Sequence, residues 1–215
     1  MVTGRSPLTV AGAAAALHRV PFSSSVWKNH HLYPIRAPST RSKAENLSHL
    51  TLVLGGARSG KSRHAEALLA AGPSPRLYIA TAEAQDDEMR ARIAAHRAAR
   101  DGAGWRTIEA PLAMPAALAD AANAPAVVDC LTLWVSNLLL GQHDLAAAGA
   151  ALDSALDGRT APTVLVSNEV GMGIVPENAL ARRFRDEAGR LHQRLAARDD
   201  TSLVLMVAGI PVSIK

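Results

Sequence analysis

The 215-residue chain has a single cysteine, Cys130, and no apolar run of the roughly twenty residues that a membrane helix needs. One thiol excludes an intramolecular disulfide framework and a cysteine-based zinc cluster, and it fits a reducing compartment, so the expected location is cytoplasmic. No membrane span is expected. Metal-ligand spacing is also missing: His64 and His192 stand without a partner at the right interval, and no internal repeat of roughly 20 to 50 residues is found. Acidic residues are absent from residues 1–44, which hold Arg5, Arg19, Lys28, Arg36, Arg41 and Lys43. The net charge of +4 arises there, leaving 17 basic against 19 acidic side chains in the rest. A body with that balance is not a basic nucleic-acid binder, and no nucleic-acid partner is expected.

The acid-free stretch contains "LTVAGAAAAL" (Leu8 to Leu17), about as long as a signal-peptide core, in a Ser- and Arg-containing context like that of transit peptides. The body of the chain beyond it reads instead as a nucleotide enzyme. Residues 1–48 are therefore expected to be a disordered extension, and residues 49–215 one domain of ordinary size.

From Leu50 the pattern becomes regular. "LTLVLGG" (Leu50 to Gly56) is a short β-rich apolar run, and "KSRHAEALLAAG" (Lys61 to Gly72) has helical spacing with a glycine stop. "PRLYIATA" (Pro75 to Ala82) reads as a second strand, after which Asp86 and Asp87 can cap a helix that ends at "DG" (101–102). "APAVVDCLTLWVSNLLL" (Ala124 to Leu140) reads as a buried strand running into a helix, and the alanine-rich stretch Leu145 to Leu156 as another helix. "TVLVSNEVGMGIVP" (Thr163 to Pro176) is a strand opening into a glycine-containing loop, with Pro176 suited to the first turn of a helix. That helix, to about Arg198, would place Leu180, Phe184, Ala188, Leu191 and Leu195 on one stripe, and "SLVLMVAGIPV" reads as a closing apolar strand. Continuous apolar strands alternating with helices predict an α/β fold: a doubly wound, mostly parallel sheet covered on both faces.

"GGARSGKS" contains G-x-x-x-x-G-K-[ST] from Gly55 to Ser62, with a strand before it and a helix after it. Glycines are required because the loop wraps phosphates with backbone N–H groups, and the helix start adds its positive dipole end. Lys61 would neutralise β and γ phosphates, and Ser62 would ligate Mg²⁺. Asp129 ends the run "AVVD", where such folds place an acid to hold that Mg²⁺; the bland alternative is an acid capping the next helix. Cys130 is assigned only a packing role.

Phosphoryl transfer needs no histidine, yet "MRARIAAHRAAR" (Met89 to Arg100) carries one. On a helix Arg92, His96 and Arg100 fall at i, i+4 and i+8, with Arg97 alongside. Such a face puts an imidazole, kept neutral by neighbouring guanidinium charge, beside groups that clamp phosphates. From spacing alone, a half-buried histidine among solvated arginines is the better-fitting reading. "SNEVGMGIVPEN" (Ser167 to Asn178) comes after a strand where open α/β sheets hold ligand loops, and it reads as an acceptor-binding or lid segment or as an ordinary connection.

Taken together, "LVLGGARSGKSRHAE", "YIATAEAQDDEMRARIAAHRAAR", "GWRTIEAP", "VVDCLTLWVSNLL", "VSNEVGMGIVPENALARRFRDEAGRLHQRLA" and "VAGIP" closely resemble the bifunctional adenosylcobinamide kinase / adenosylcobinamide-phosphate guanylyltransferase family of cobalamin biosynthesis. The resemblance runs from about Leu50 to Lys215, and the first 45 or so residues have no counterpart in it. It implies a P-loop fold with two reactions. A nucleoside triphosphate phosphorylates adenosylcobinamide; GTP then guanylylates a histidine, which passes GMP to the new phosphate, giving adenosylcobinamide-GDP. The histidine that matches is His96. The nucleotide contacts implied are Gly55, Gly56, Ala57, Arg58, Ser59, Gly60, Lys61 and Ser62, then Ala80, Thr81, Ala82, Arg97, Ala98, Ala99, Arg100, Glu109 and Asp129. The arginines would stabilise charge developing at the α-phosphorus, and Ser62 and Asp129 would hold the Mg²⁺.

Whether ATP or GTP is the phosphoryl donor stays open, because the loop binds phosphates and not bases. A corrinoid exceeds a pocket of ordinary ligand size, so part of it should stay exposed or lie at a subunit boundary, and a homo-oligomer is expected. Two other readings carry different predictions: a plain P-loop small-molecule kinase in which His96 only packs, and a nucleotide-dependent switch whose "SNEVGMG" loop reports the bound state.

Overall fold

The computed structural model describes residues 49–83, 98, 100 and 103–215. The expected helix between Asp86 and Gly102 falls almost wholly outside these residues, as does the expected extension at residues 1–48.

The described residues form a seven-stranded sheet in the order β3-β2-β4-β5-β1-β6-β7. The strands are β1 (Leu50–Gly55), β2 (Arg76–Ala80), β3 (Trp105–Glu109), β4 (Ala126–Asp129), β5 (Thr163–Asn168), β6 (Thr201–Val207) and β7 (Ile210–Ser213). The first six run parallel, with Leu50 of β1 opposite Thr163 of β5 on one side and Thr201 of β6 on the other. Only β7 is antiparallel, pairing Val207 with Ile210 across a tight turn. The helices are α1 (Lys61–Leu69), α2 (Met114–Asp120), α3 (Leu131–Leu140), α4 (Leu145–Asp157) and α5 (Ala179–Ala196).

Strand alternation explains why both faces are apolar. In β1, Leu50, Leu52 and Leu54 join the core on one face, and Val53 joins the other; Leu77 and Ile79 of β2 are separated from Tyr78 in the same way. The larger cluster takes its helical side chains from α2, α3, α4 and α5, including the fully buried Met114, Leu118, Leu131, Leu152 and Leu195. Ala65 and Leu69 of α1 cover the opposite face against Val53, Val127, Val164 and Val166. Apolar burial on both sides is why these strands read as nearly continuous hydrophobic runs.

Several local expectations are corrected. The first helix ends at Leu69, where the Gly72 N–H closes a turn on the Leu69 carbonyl, and the second strand is shorter than Pro75 to Ala82. Pro176 lies outside the long helix: Asn178 is its cap, accepting from the N–H groups of Leu180 and Ala181. Of the expected stripe, Ala188, Leu191 and Leu195 are buried, whereas Leu180 at the first turn is 47% exposed. The closing apolar run is a hairpin, because Ala208 (φ 50°) and Gly209 (φ 84°) both take left-handed conformations and reverse the chain. Two elements had no counterpart in the pattern of the sequence. Strand β3 is a half-buried edge, and α2 spans only Met114 to Asp120 with Pro115 in its first turn.

Candidate functional site

The C-terminal ends of β1, β2, β3 and β4 bring together most of the residues singled out from sequence, as expected for an open parallel sheet. Strand β1 ends at Gly55, where a Cβ would sit 2.6 Å from the Met206 carbonyl oxygen and 2.7 Å from the Ser59 hydroxyl. A side chain there would displace backbone. Gly56, Ala57 and Arg58 are exposed on the loop, Arg58 with φ 55°, and Gly60 (φ 94°, ψ 10°) delivers the chain into α1 in a left-handed conformation. No side chain caps α1, so its start is available to an anion. The β6–β7 turn braces the loop from behind, the Gly209 N–H donating to the Ser59 carbonyl at 3.0 Å.

Lys61 is buried and donates from Nζ to the Gly56 carbonyl at 2.6 Å, folding the lysine across the loop. Burial pulls its pKa below the usual lysine range, partly offset by Cys130 and Asp129. The Ser59 hydroxyl is buried without a hydrogen-bond partner. A loop of left-handed glycines with an orphan hydroxyl and a desolvated ammonium is matched to a polyanion.

The Ser62 hydroxyl donates to Asp129 Oδ2 at 2.8 Å, joining two residues 67 positions apart. This is the pair assigned to Mg²⁺, and it fits that ion. Mg²⁺ takes hard oxygen ligands, commonly one or two from protein with phosphates and water completing the shell. Among the described residues no group of three or more His, Cys, Asp or Glu side chains could hold a metal instead.

Tyr78, not singled out from sequence, donates from its hydroxyl to the same Asp129 Oδ2. Burial, then the Asp129 charge, push the Tyr78 pKa far above its ordinary value, so the phenol stays protonated and a donor. Arg100 is only 5% exposed; its guanidinium carbon lies 3.5 Å from the Tyr78 ring centroid, and Nη1 is 3.6 Å from Glu66 of α1.

A second polar group links the strand ends. Thr81 is fully buried, and its hydroxyl accepts from the Cys130 N–H and donates to the Cys130 carbonyl, both at 2.7 Å. Asn137 Nδ2 ties the Thr81 and Pro111 carbonyls at 2.8 and 3.1 Å, and Asn168 Nδ2 donates to Thr132 at 3.0 Å. Thr81 is thus committed to joining loops, while Ala80, Ala82 and the exposed Glu109 stand at or just beyond the ends of β2 and β3. Cys130 is buried as expected, and its thiol also exchanges a hydrogen bond with Thr132 at 2.8 Å. His192 packs as expected, bonded to the buried Ser167 at 2.7 Å, and burial lowers its pKa despite the nearby Glu169.

The "SNEVGMGIVPEN" segment begins beside the P-loop, the Glu169 N–H donating to the Gly55 carbonyl at 3.0 Å. Beyond it Met172, Ile174 and Val175 are 80%, 97% and 58% exposed. A cavity of about 490 Å³ between α3, α4 and α5 contains none of the predicted site residues. Of the arginine-histidine segment, Ala98 is exposed and Arg100 buried, whereas Arg92, His96, Arg97 and Ala99 lie outside the described residues.

Tyr78, Glu66, Asn137 and Thr132 were missed from sequence. The one signal available was a tyrosine inside an apolar strand, since a buried phenol hydroxyl needs a partner.

No helix among the described residues is long and apolar enough to cross a membrane. Residues 51–214 match the model of a protein family described as cobinamide kinase / cobinamide phosphate guanyltransferase. The bifunctional adenosylcobalamin biosynthesis protein CobP of Pseudomonas aeruginosa is 50% identical over 168 residues, covering 76% of this chain and 96% of the relative. The CobU proteins of Salmonella typhimurium and Escherichia coli are 49% and 45% identical, each over 183 residues and 99% of their own length, covering 77% of this chain. With its P-loop, its strand-end acid and a match from β1 through β7, the chain belongs to the cobinamide kinase / cobinamide phosphate guanyltransferase family.

Proposed function

We propose that residues 49–215 act as one P-loop domain carrying both activities of the family, with His96 as a covalent GMP carrier. A nucleoside triphosphate, ATP or GTP, first phosphorylates the hydroxyl of adenosylcobinamide. In the second reaction an imidazole nitrogen of His96 attacks the α-phosphorus of GTP, the bond to the β-phosphate oxygen breaks, and pyrophosphate leaves. An oxygen of adenosylcobinamide phosphate then attacks the same phosphorus, releasing the imidazole and giving adenosylcobinamide-GDP. Two easier steps replace one direct transfer between polyanions.

The observation that carries the phosphate-handling half is the Ser62–Asp129 contact at 2.8 Å beside a loop held by left-handed Gly60 and buried Lys61. Phosphates entering the loop would exchange the Lys61–Gly56 bond for a charge-assisted one and offer the Ser59 hydroxyl the partner it lacks. Mg²⁺ held by Ser62 and Asp129 would neutralise charge on the phosphates when bound. Arg97 and Arg100, just after His96 in the chain, would hold the GTP phosphates, with Ala80 to Ala82, Ala98, Ala99 and Glu109 bordering the nucleotide. The exposed Met172, Ile174 and Val175 offer an apolar surface beside the loop for the macrocycle of the acceptor. The fit of so large a substrate favours a homo-oligomer, and the unpaired Cys130 thiol favours the cytoplasm.

The test separates the two reactions. His96→Asn should abolish guanylyl transfer and leave phosphorylation of adenosylcobinamide intact, whereas proportional loss of both contradicts a dedicated carrier. Product formation without any covalent GMP would make the protein a plain kinase, and absence of both products would favour a nucleotide switch.

A further inference from the structure

Tyr78 is 4% exposed and sits on the α1-covered face of β2, where three neighbours from distant parts of the chain meet it. Its hydroxyl donates to Asp129 Oδ2, the oxygen that also accepts from Ser62. Two hydroxyl donors on one carboxylate oxygen fix the rotation of the carboxylate. If Ser62 turns towards a metal ion, Tyr78 remains to hold it. The opposite use is made of the ring face, on which the Arg100 guanidinium stacks at 3.5 Å. Arg100 is buried, and its Nε and Nη1 have no hydrogen-bond partner, with Glu66 3.6 Å from Nη1. The aromatic face therefore supports this guanidinium in a desolvated place, where cation–π attraction is strongest. Trp105 packs edge-on against the same ring at 6.2 Å and 81°, keeping the platform in place.

We propose that Tyr78 is a positioning residue serving both reactions at once: its hydroxyl aims the Asp129 carboxylate used in phosphoryl transfer, and its ring seats Arg100, four residues along the chain from His96. The inference deepens the bifunctional reading and rests on it. It divides one side chain into two separable parts, so atoms removed from the tip and from the ring should damage different steps. A buried tyrosine that only packed would produce no such split.

The experiment uses the full chain and the variants Tyr78→Phe and Tyr78→Leu, with thermal unfolding as a control on folding. One readout is binding, with and without Mg²⁺, of a GTP analogue whose α,β-bridging oxygen is a methylene, so that no guanylylation intervenes. The other is the rate of GMP attachment from GTP at saturating Mg²⁺. Tyr78→Phe should lose about tenfold of the Mg²⁺-dependent tightening, the scale of an outer partner of a metal ligand, and keep the attachment rate. Tyr78→Leu should lose that tightening and in addition slow attachment about tenfold. If Tyr78→Leu unfolds early, a cycle with Arg100→Gln in place of it decides the ring's part: Tyr78→Phe combined with Arg100→Gln should show additive losses, because hydroxyl and ring act separately. Mg²⁺-dependent tightening unchanged in Tyr78→Phe, or attachment slowed equally by Phe and Leu, overturns the proposal. Wild-type protein that attaches no GMP overturns the His96 reading instead, and the Mg²⁺ titration of Tyr78→Phe still decides this inference.

Discussion

The two ends of the sheet use buried cations in opposite ways. At the N-terminal ends of the strands Arg159 donates to the carbonyls of Leu118, Ala121 and Ala124 and to the Thr163 hydroxyl, closing off α2 and the start of β5. Arg76, at the start of β2, donates to Ala70, Gly72 and Ala103 carbonyls and stacks over Trp105. Main-chain carbonyls and the Thr163 hydroxyl accept from these guanidinium groups, and only Arg76 Nε is left buried without a partner. At the C-terminal ends Lys61 is desolvated, Arg100 keeps two buried nitrogens without hydrogen bonds, and the Ser59 hydroxyl is orphaned. Apart from Arg76 Nε and the Thr201 hydroxyl, the first end satisfies its buried polar groups internally; the other leaves open groups that a bound polyanion would complete. A protein tolerates such local deficits where a ligand completes them.

The largest effect on stability is expected at Arg159. Burial pushes its pKa down to about 10, which still leaves it charged near neutrality. Arg159→Met would strand the Leu118 and Ala124 carbonyls, Ala121 keeping the Ala124 N–H, and should cost roughly 3–5 kcal/mol in urea unfolding, with normal turnover in whatever protein remains folded. A loss under about 1 kcal/mol, or a specific loss of nucleotide binding, would dissolve the distinction between the ends. Lys61→Ala predicts the reverse: about 10²-fold slower phosphorylation, with a thermal midpoint unchanged or raised because a desolvated charge is gone. Gly60→Ala tests the loop itself, and should cost about 1–2 kcal/mol for forcing a side chain into the left-handed region, together with weaker nucleotide binding. The smallest effect is expected at His192. Burial lowers its folded-state pKa, so the unfolded chain takes up a proton that the fold resists. Stability should therefore fall as pH drops through the ordinary histidine value of about 6.5, and His192→Gln should flatten that slope in pH-dependent unfolding. A slope that steepens would reverse the sign assigned.

The same division between the ends governs how much was legible in the sequence. The P-loop was, because strand, glycines, lysine and helix are contiguous from Leu50 to Leu69. Asp129 was, because it ends an apolar run that becomes β4. The order of strands and helices was largely readable, since both faces of the sheet are buried and the runs stay apolar. Strand β3 was not: its half-buried edge position leaves a mixed pattern in "WRTIE". The β6–β7 turn was hidden by apolar residues on both sides and by Ala208, an unexpected residue for a left-handed conformation. Tyr78, Arg76 and Arg159 could not be found by spacing. Their farthest partners lie 51, 27 and 41 positions away, and only the folded topology brings these within reach.

In the reading proposed above, the C-terminal end of the sheet serves two chemistries, one of them through a covalent bond to His96. The most direct test of this reading is to incubate the protein with GTP labelled at the α-phosphate, denature it, and map the label after tryptic digestion kept at alkaline pH. A histidine phosphoramidate survives alkali and is lost in acid, and the peptide Ile93 to Arg97 contains only one histidine, His96. One acid-labile GMP is expected on that peptide, present in wild type and absent from His96→Asn. Label on another peptide, label stable to acid, or no label from GTP would contradict it.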